Sequence, residues 1–125
     1  MRFKYYNPNK KNKVAGDCVI RMLTIVTNKS WNDRYWMACE EGEKLGDMPS
    51  SNHVWLNLLS KLGFKRHIIP DSCPFCYTIE QFCIDHPEGL FVVGTGSHVV
   101  AIKNGYFYDS WNSSNEIPIF YLEKI

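Results

Sequence analysis

The chain has 125 residues, 45% of them hydrophobic and 22% charged, with a net charge of +1. That is enough sequence for a single domain, 1–125, with a buried core, and a balance so near neutral gives no electrostatic ground for nucleic-acid binding. The opening stretch "MRFKYYNPNK" has no apolar segment behind its charges, so it does not read as a secretory signal. No window approaches the roughly 18 apolar residues that span a bilayer. Five cysteines, an odd number, fit free thiols in a reducing, cytoplasmic setting.

In chain order, "YYNPNKKNK" reads as a loop, and its Lys10, Lys11 and Lys13 as solvated charges. "DCVIRMLTIVTN" predicts a helix, with Val19, Met22, Leu23 and Val26 at helical spacing and Asp17 as N-cap. "SWNDRYWMACEEGEKLG" predicts a second, capped by Ser30, with Trp31, Tyr35 and Ala38 on one side and acids opposite. "SSNHVWLNLLSKLG" predicts a third, with Val54, Leu58 and Leu62 inward and Gly63 as its stop.

After Gly63 the period changes. "FKRHIIP" is strand-like, and "TIEQFCIDHP" is a short helix with the Thr78…Gln81 spacing of a capping box. "GLFVVGTG", "SHVVAIK", "YFYDSW" and "IPIFYLEK" are four β-rich runs. Helices first and strands later predict an α+β domain, with N-terminal helices packed on a C-terminal antiparallel sheet.

Asn104-Gly105 between two alternating runs predicts a two-residue type I′ hairpin in which Lys103 faces Tyr106. Val100 then faces Asp109 and His98 faces Trp111. Alternation places His98, Val100, Ile102, Phe107, Asp109 and Trp111 on one face. His98 and Asp109 become diagonal neighbours, about 7–8 Å apart at the backbone and within side-chain reach. Asn112 falls on the other face, and a bulge would exchange the two. A carboxylate on one imidazole nitrogen fixes the tautomer and stabilises the imidazolium, though such a pair also serves simply to tie strands together.

A nucleophile changes that balance, and "AGDCVIR" supplies one. Cys18 falls in the first turn of the first helix, where unpaired N–H groups and the helix dipole lower a thiol's pKa. Paired with a histidine, it becomes a thiolate, and the N–H of Cys18 itself points where an oxyanion develops.

Cysteine at a helix start, histidine on a strand and an acid on the next strand together resemble the papain-like cysteine peptidases in a minimal form. The "HVV…YFYD" hairpin is most similar to compact members: bacteriocin-processing, staphopain-like, transglutaminase-like and NlpC-type enzymes. The resemblance covers about residues 12–112. It implies Cys18 as nucleophile, His98 as general base and acid, and Asp109 as the orienting acid. It also implies an oxyanion donor about six residues before the cysteine, where papain-like enzymes carry glutamine and this chain has Asn12. Asn7 and Asn9 are alternatives. Val19 follows the nucleophile where papain has tryptophan, and "DSWN" is similar to "NSWG" of papain-like proteases. Trp111, facing His98, is placed to shield the pair and meet substrate.

"SCPFCYTIEQFCIDH" offers a rival constellation, Cys73, Cys76, Cys83 and His86, with soft ligands in pairs. The tight spacing favours a proline-containing turn with a packed Cys83, so no metal and no cofactor are expected. The sequence thus predicts a cysteine-dependent hydrolase of peptidase or isopeptidase class acting on a protein or peptide. Amidase, deamidase and acyltransferase chemistry would use the same residues. The alternative is a non-catalytic protein-binding module on this fold, zinc-stabilised or not; oligomeric state is left open.

Overall fold

The computed structural model describes residues 1–70 and 75–125. Its first helix, α1 (Cys18–Thr27), starts directly after Asp17. Asp17 holds the cap position, but its side chain does not cap: the carboxylate is taken by Arg21 and by the Trp31 indole N–H at 2.9 Å. Asn28 ends α1 in the left-handed region at φ 53°, where asparagine is tolerated. Val19, Met22 and Leu23 are buried as their spacing predicts, and Val26 is half-buried.

Ser30 caps α2 (Trp31–Leu45), its Oγ accepting the Asp33 N–H at 3.2 Å. The inward side of α2 differs from the expectation. Ala38 is buried, but so are Glu41 and Gly42, whereas Tyr35 is exposed. Glu41 is drawn inward because Asn57 and Lys61 donate to its carboxylate, satisfying a charge that burial would otherwise penalise. Gly42 lies so close to the following loop that a Cβ would meet the Asp47 carbonyl at 2.7 Å. In α3 (Asn52–Lys61), Val54, Trp55, Leu58 and Leu59 are buried, while Leu62 beyond its end is only half so. Thr78 caps α4 (Ile79–Asp85) from its Oγ1, yet Gln81 does not return the bond. Its amide turns forward to Asp85 at 2.9 Å, so the capping box is half formed.

Five strands were expected from the pattern: β2 (Phe64–Ile68), β3 (Leu90–Gly94), β4 (Val99–Lys103), β5 (Tyr106–Asp109) and β6 (Phe120–Lys124). A sixth, β1 (Phe3–Tyr5), was not, since three residues are too few to show a period. The order is β1-β5-β4-β3-β6-β2. All neighbours are antiparallel except β1, which pairs parallel with β5, so the sheet is mixed rather than antiparallel throughout.

The sheet separates two cores. Residues of α1, α2 and α3 pack with Val92, Val99, Ala101, Phe120 and Leu122 on one side, where Trp55 stacks on Phe120 at 5.9 Å. On the other, Ile79, Phe82 and Cys83 of α4 pack with Phe91, Val93, Val100, Ile102 and Phe107. Among the described residues, no helix is long and apolar enough to cross a membrane.

Candidate active site

Asn104 and Gly105 adopt φ 51° and 79°, the left-handed pair a type I′ turn needs, and they fix the hairpin. Its observed register pairs Lys103 with Tyr106, Ile102 with Phe107 and Ala101 with Tyr108, as the two-residue loop dictates. At its open end His98 Nε2 lies 2.7 Å from Asp109 Oδ2. Asn112 takes no part: its side chain reaches Met1 Sδ and the Ser114 N–H.

The face assignment needs correction beyond Val100. Val100, Ile102 and Phe107 lie in the core beneath α4, as alternation requires. His98 and Asp109 instead engage Cys18 and Arg21 of α1. The cause lies at the strand ends. Ladder pairing between β4 and β5 stops at Ala101–Tyr108, and His98 precedes β4 in a tight turn closed on Thr95. His98, just outside β4, and Asp109, the last residue of β5 and still paired with Tyr5 of β1, both meet the start of α1.

There the Cys18 thiol, half-buried, bonds the His98 imidazole and takes the Val99 N–H. With Nε2 held by Asp109, the nitrogen left for the thiol is Nδ1. The histidine thus spans the other two residues.

Asp109 is almost wholly buried and saturated. Oδ2 accepts His98 and, at 2.6 Å, the Ser113 hydroxyl; Oδ1 accepts the Ser110 N–H at 2.8 Å and Arg21 Nη2 at 3.1 Å. Arg21, itself buried, also donates to Asp17. Sequence reasoning missed Arg21. The signal was there, a lone cation among the apolar residues of "CVIRML", which requires a buried anion nearby.

Charge in this cluster alternates, and the proton affinities follow. Burial pushes the Cys18 thiol up, but the His98 and Val99 bonds and the charges of His98 and Arg21 outweigh it and leave it lowered. Burial likewise disfavours imidazolium, yet the bonds to Asp109 and Cys18 raise His98 to about 9. Burial opposes ionisation of Asp109, and the bonds from His98 and Ser113 overcome it, leaving its carboxyl below its usual range. All three directions favour a thiolate–imidazolium–carboxylate row.

Trp111 covers the row from outside, its ring centroid 5.0 Å from that of His98. Asn12 is not drawn to the thiol by any hydrogen bond. It sits exposed in a turn at φ 53°, its N–H on the Asn9 carbonyl at 2.8 Å. Asn7 and Asn9 spend their side chains on the same loop.

The rival constellation looks different in space. Cys83 is fully buried, and burial first, then the charge of Glu80, pushes its thiol up to about 12. His86 stacks on Phe82 at 3.9 Å with Nδ1 on the Phe82 carbonyl, and Cys76 is exposed. Cys73 lies outside the described residues. Among the described residues, no three His, Cys, Asp or Glu side chains are grouped to hold a metal ion.

Compared with protein-family models, curated proteins and solved structures, the chain matches none of them.

Proposed function

We propose that this protein is a cysteine-dependent acyl-transfer enzyme, a hydrolase of peptidase or isopeptidase class built on a papain-like arrangement. One observation carries the reading: His98 bridges the helix-start thiol of Cys18 to the buried carboxylate of Asp109. A structural histidine–aspartate pair has no need of a thiol with lowered pKa on the remaining nitrogen.

The Cys18 thiolate adds to the carbonyl carbon of an amide, and the carbonyl electron pair moves to oxygen. First-turn N–H groups of α1, which lack intrahelical acceptors, face that oxyanion. As the tetrahedral adduct collapses, the C–N bond breaks and His98 gives its proton to the departing amine. His98, neutral again, takes a proton from water. Hydroxide displaces the thiolate from the thioester, releasing the acid and restoring the ion pair. Asp109 stays ionised throughout, holding the ring in orientation.

An acylation test decides the matter. With p-nitrophenyl acetate, the wild type should release a burst of one nitrophenolate per chain and gain one acetyl group on Cys18 by peptide mass mapping. Cys18→Ala should abolish both. Absence of the burst, or acetyl spread evenly over the thiols, defeats the reading.

A further inference from the structure

A cavity of about 460 Å³ opens beside the nucleophile. Val19 and Ile20 of α1, Trp31, Tyr35 and Cys39 of α2, and Pro49 supply much of its wall. Gly16, Asp17 and Val19 also line it. They flank Cys18 in the chain, so the cavity wall and the thiol share the start of α1. Among the described residues Asp17 is the one acid on that wall, and Arg21 and the Trp31 indole already occupy its carboxylate. Apart from Asn9, Ser50 and the lysines, what remains is apolar.

The border is cationic. Lys10, Lys11 and Lys13 edge the cavity, all exposed, and none has an ion-pair partner among the described residues. Their loop is held in shape by asparagines: Asn9 Oδ1 takes the Lys11 N–H at 2.8 Å and Asn7 Nδ2 donates to the Lys13 carbonyl at 3.3 Å. An aromatic ledge continues from the same opening. Trp31 stacks on Tyr35 at 5.1 Å, and Tyr35 meets Trp36, 67% exposed, edge-on at 5.3 Å. A smaller depression of about 260 Å³ joins that ledge to Lys10.

We propose that this cavity is the substrate-recognition site and takes a bulky apolar side chain from an acidic peptide segment. Its role in selecting substrate rests on the acyl-transfer reading. Apolar wall and cationic border are both used by such a segment: the side chain leaves water in the cavity while neighbouring carboxylates meet the lysines. The occupant is a peptide rather than a nucleic acid because the net charge is only +1 and the cations border an apolar cavity beside an acylable thiol.

Binding tests this without catalysis. In the Cys18→Ala variant, fluorescence anisotropy would follow a labelled peptide bearing one phenylalanine between aspartates. One control has serine for the phenylalanine, and a second has lysines for the aspartates. The first peptide should bind at least about tenfold more tightly than either control, and weaken as salt screens the charges. Combined Lys10→Glu, Lys11→Glu and Lys13→Glu should erase discrimination against the lysine peptide, and Tyr35→Ala should reduce discrimination against the serine one. These positions are exposed, and an unchanged melting temperature shows that the variants fold. Equal binding of all three peptides overturns the proposal, as does tighter binding of a single-stranded oligonucleotide of equal charge. Acylation of Cys18 without peptide discrimination removes the cavity assignment alone. Discrimination without acylation leaves a peptide-binding cavity and removes the acyl-transfer reading.

Discussion

Arg21 Nη2 on α1 donates to Asp109 Oδ1 on β5 at 3.1 Å, joining two residues 88 positions apart in a buried ion pair. The helix that carries the Cys18 thiol and the strand that carries Asp109 are thereby clamped at the site itself. The same guanidinium holds Asp17, one residue before Cys18, so it faces carboxylates on both sides. Arg21 is a positioning residue in the proposed chemistry. Arg21→Met leaves Asp17 without its cation and Asp109 with His98 alone, a loss of about 3–5 kcal/mol by precedent for broken buried pairs. Denaturant titration measures that. The charge of Arg21 also helps lower the Cys18 pKa, so the alkylation midpoint of Cys18 should rise in the variant, and Arg21→Lys should restore part of that shift. A stability loss with no movement of the midpoint would make the clamp purely structural.

Reactivity of the thiols gives a second expectation. Iodoacetamide should modify Cys18 faster than Cys39, Cys76 or Cys83, with an apparent pKa below the unperturbed ~8.5. His98→Ala removes both the hydrogen bond and the charge that lower it, and should return Cys18 to ordinary behaviour. Cys83, buried and pushed up to about 12, should label only on unfolding. Labelling of Cys18 no faster than Cys39, and indifferent to His98→Ala, would contradict an activated nucleophile.

Much of this site is written locally. Asn104-Gly105 fixes the hairpin register, and that register puts His98 and Asp109 at the same open end of the hairpin. Cys18 at the start of α1 follows from helical spacing. What stayed hidden depends on distant partners. Asp17 reads as a cap until Arg21 and Trp31 claim it, and Arg21 reads as an interruption until Asp109 arrives from β5. Glu41 looks solvent-facing until Asn57 and Lys61 enclose it. Alternation also misleads at the hairpin's open end, where His98 and Asp109 engage α1 while Val100 stays beneath α4.

The raised His98 pKa makes stability depend on pH in a definite direction. From 6.5 to about 9 the folded state keeps a proton that the unfolded state has released, so this contribution is full below 6.5 and fades as pH rises through 9. A shift of that size corresponds to on the order of 3 kcal/mol at most. The lowered Cys18 pKa works the other way: its contribution is full above the unfolded thiol value and is lost as pH falls through the folded one. Cys18→Ser removes the second effect and the part of the His98 shift that Cys18 causes. Its denaturation free energy should therefore decline from pH 6.5 upward by less than about 3 kcal/mol. Adding His98→Gln should flatten the profile between pH 6.5 and about 8, below the range where the raised Cys83 thiol begins to count. A decline that survives in the double variant would assign it to another group.

The choice between Asp109 and Asn112 is the sharpest test of the site's chemistry. Asp109→Asn keeps the shape of the side chain, but a neutral amide neither stabilises the imidazolium nor enforces the tautomer that leaves Nδ1 to the thiol. NMR titration should show the His98 pKa falling from about 9 toward the ordinary range. The corresponding change in a serine triad costs about 10⁴-fold, but there the charge forms only during turnover. Here the ion pair already exists in the resting site, so the loss should be smaller, roughly 10- to 1000-fold in the acylation rate. Asn112→Ala, which breaks only contacts to Met1 and Ser114, should leave both the His98 titration and the rate near wild type. If Asn112→Ala lowered the rate as far as Asp109→Asn, the orienting role would belong to the asparagine, and the row from Cys18 to Asp109 would not be the catalytic one.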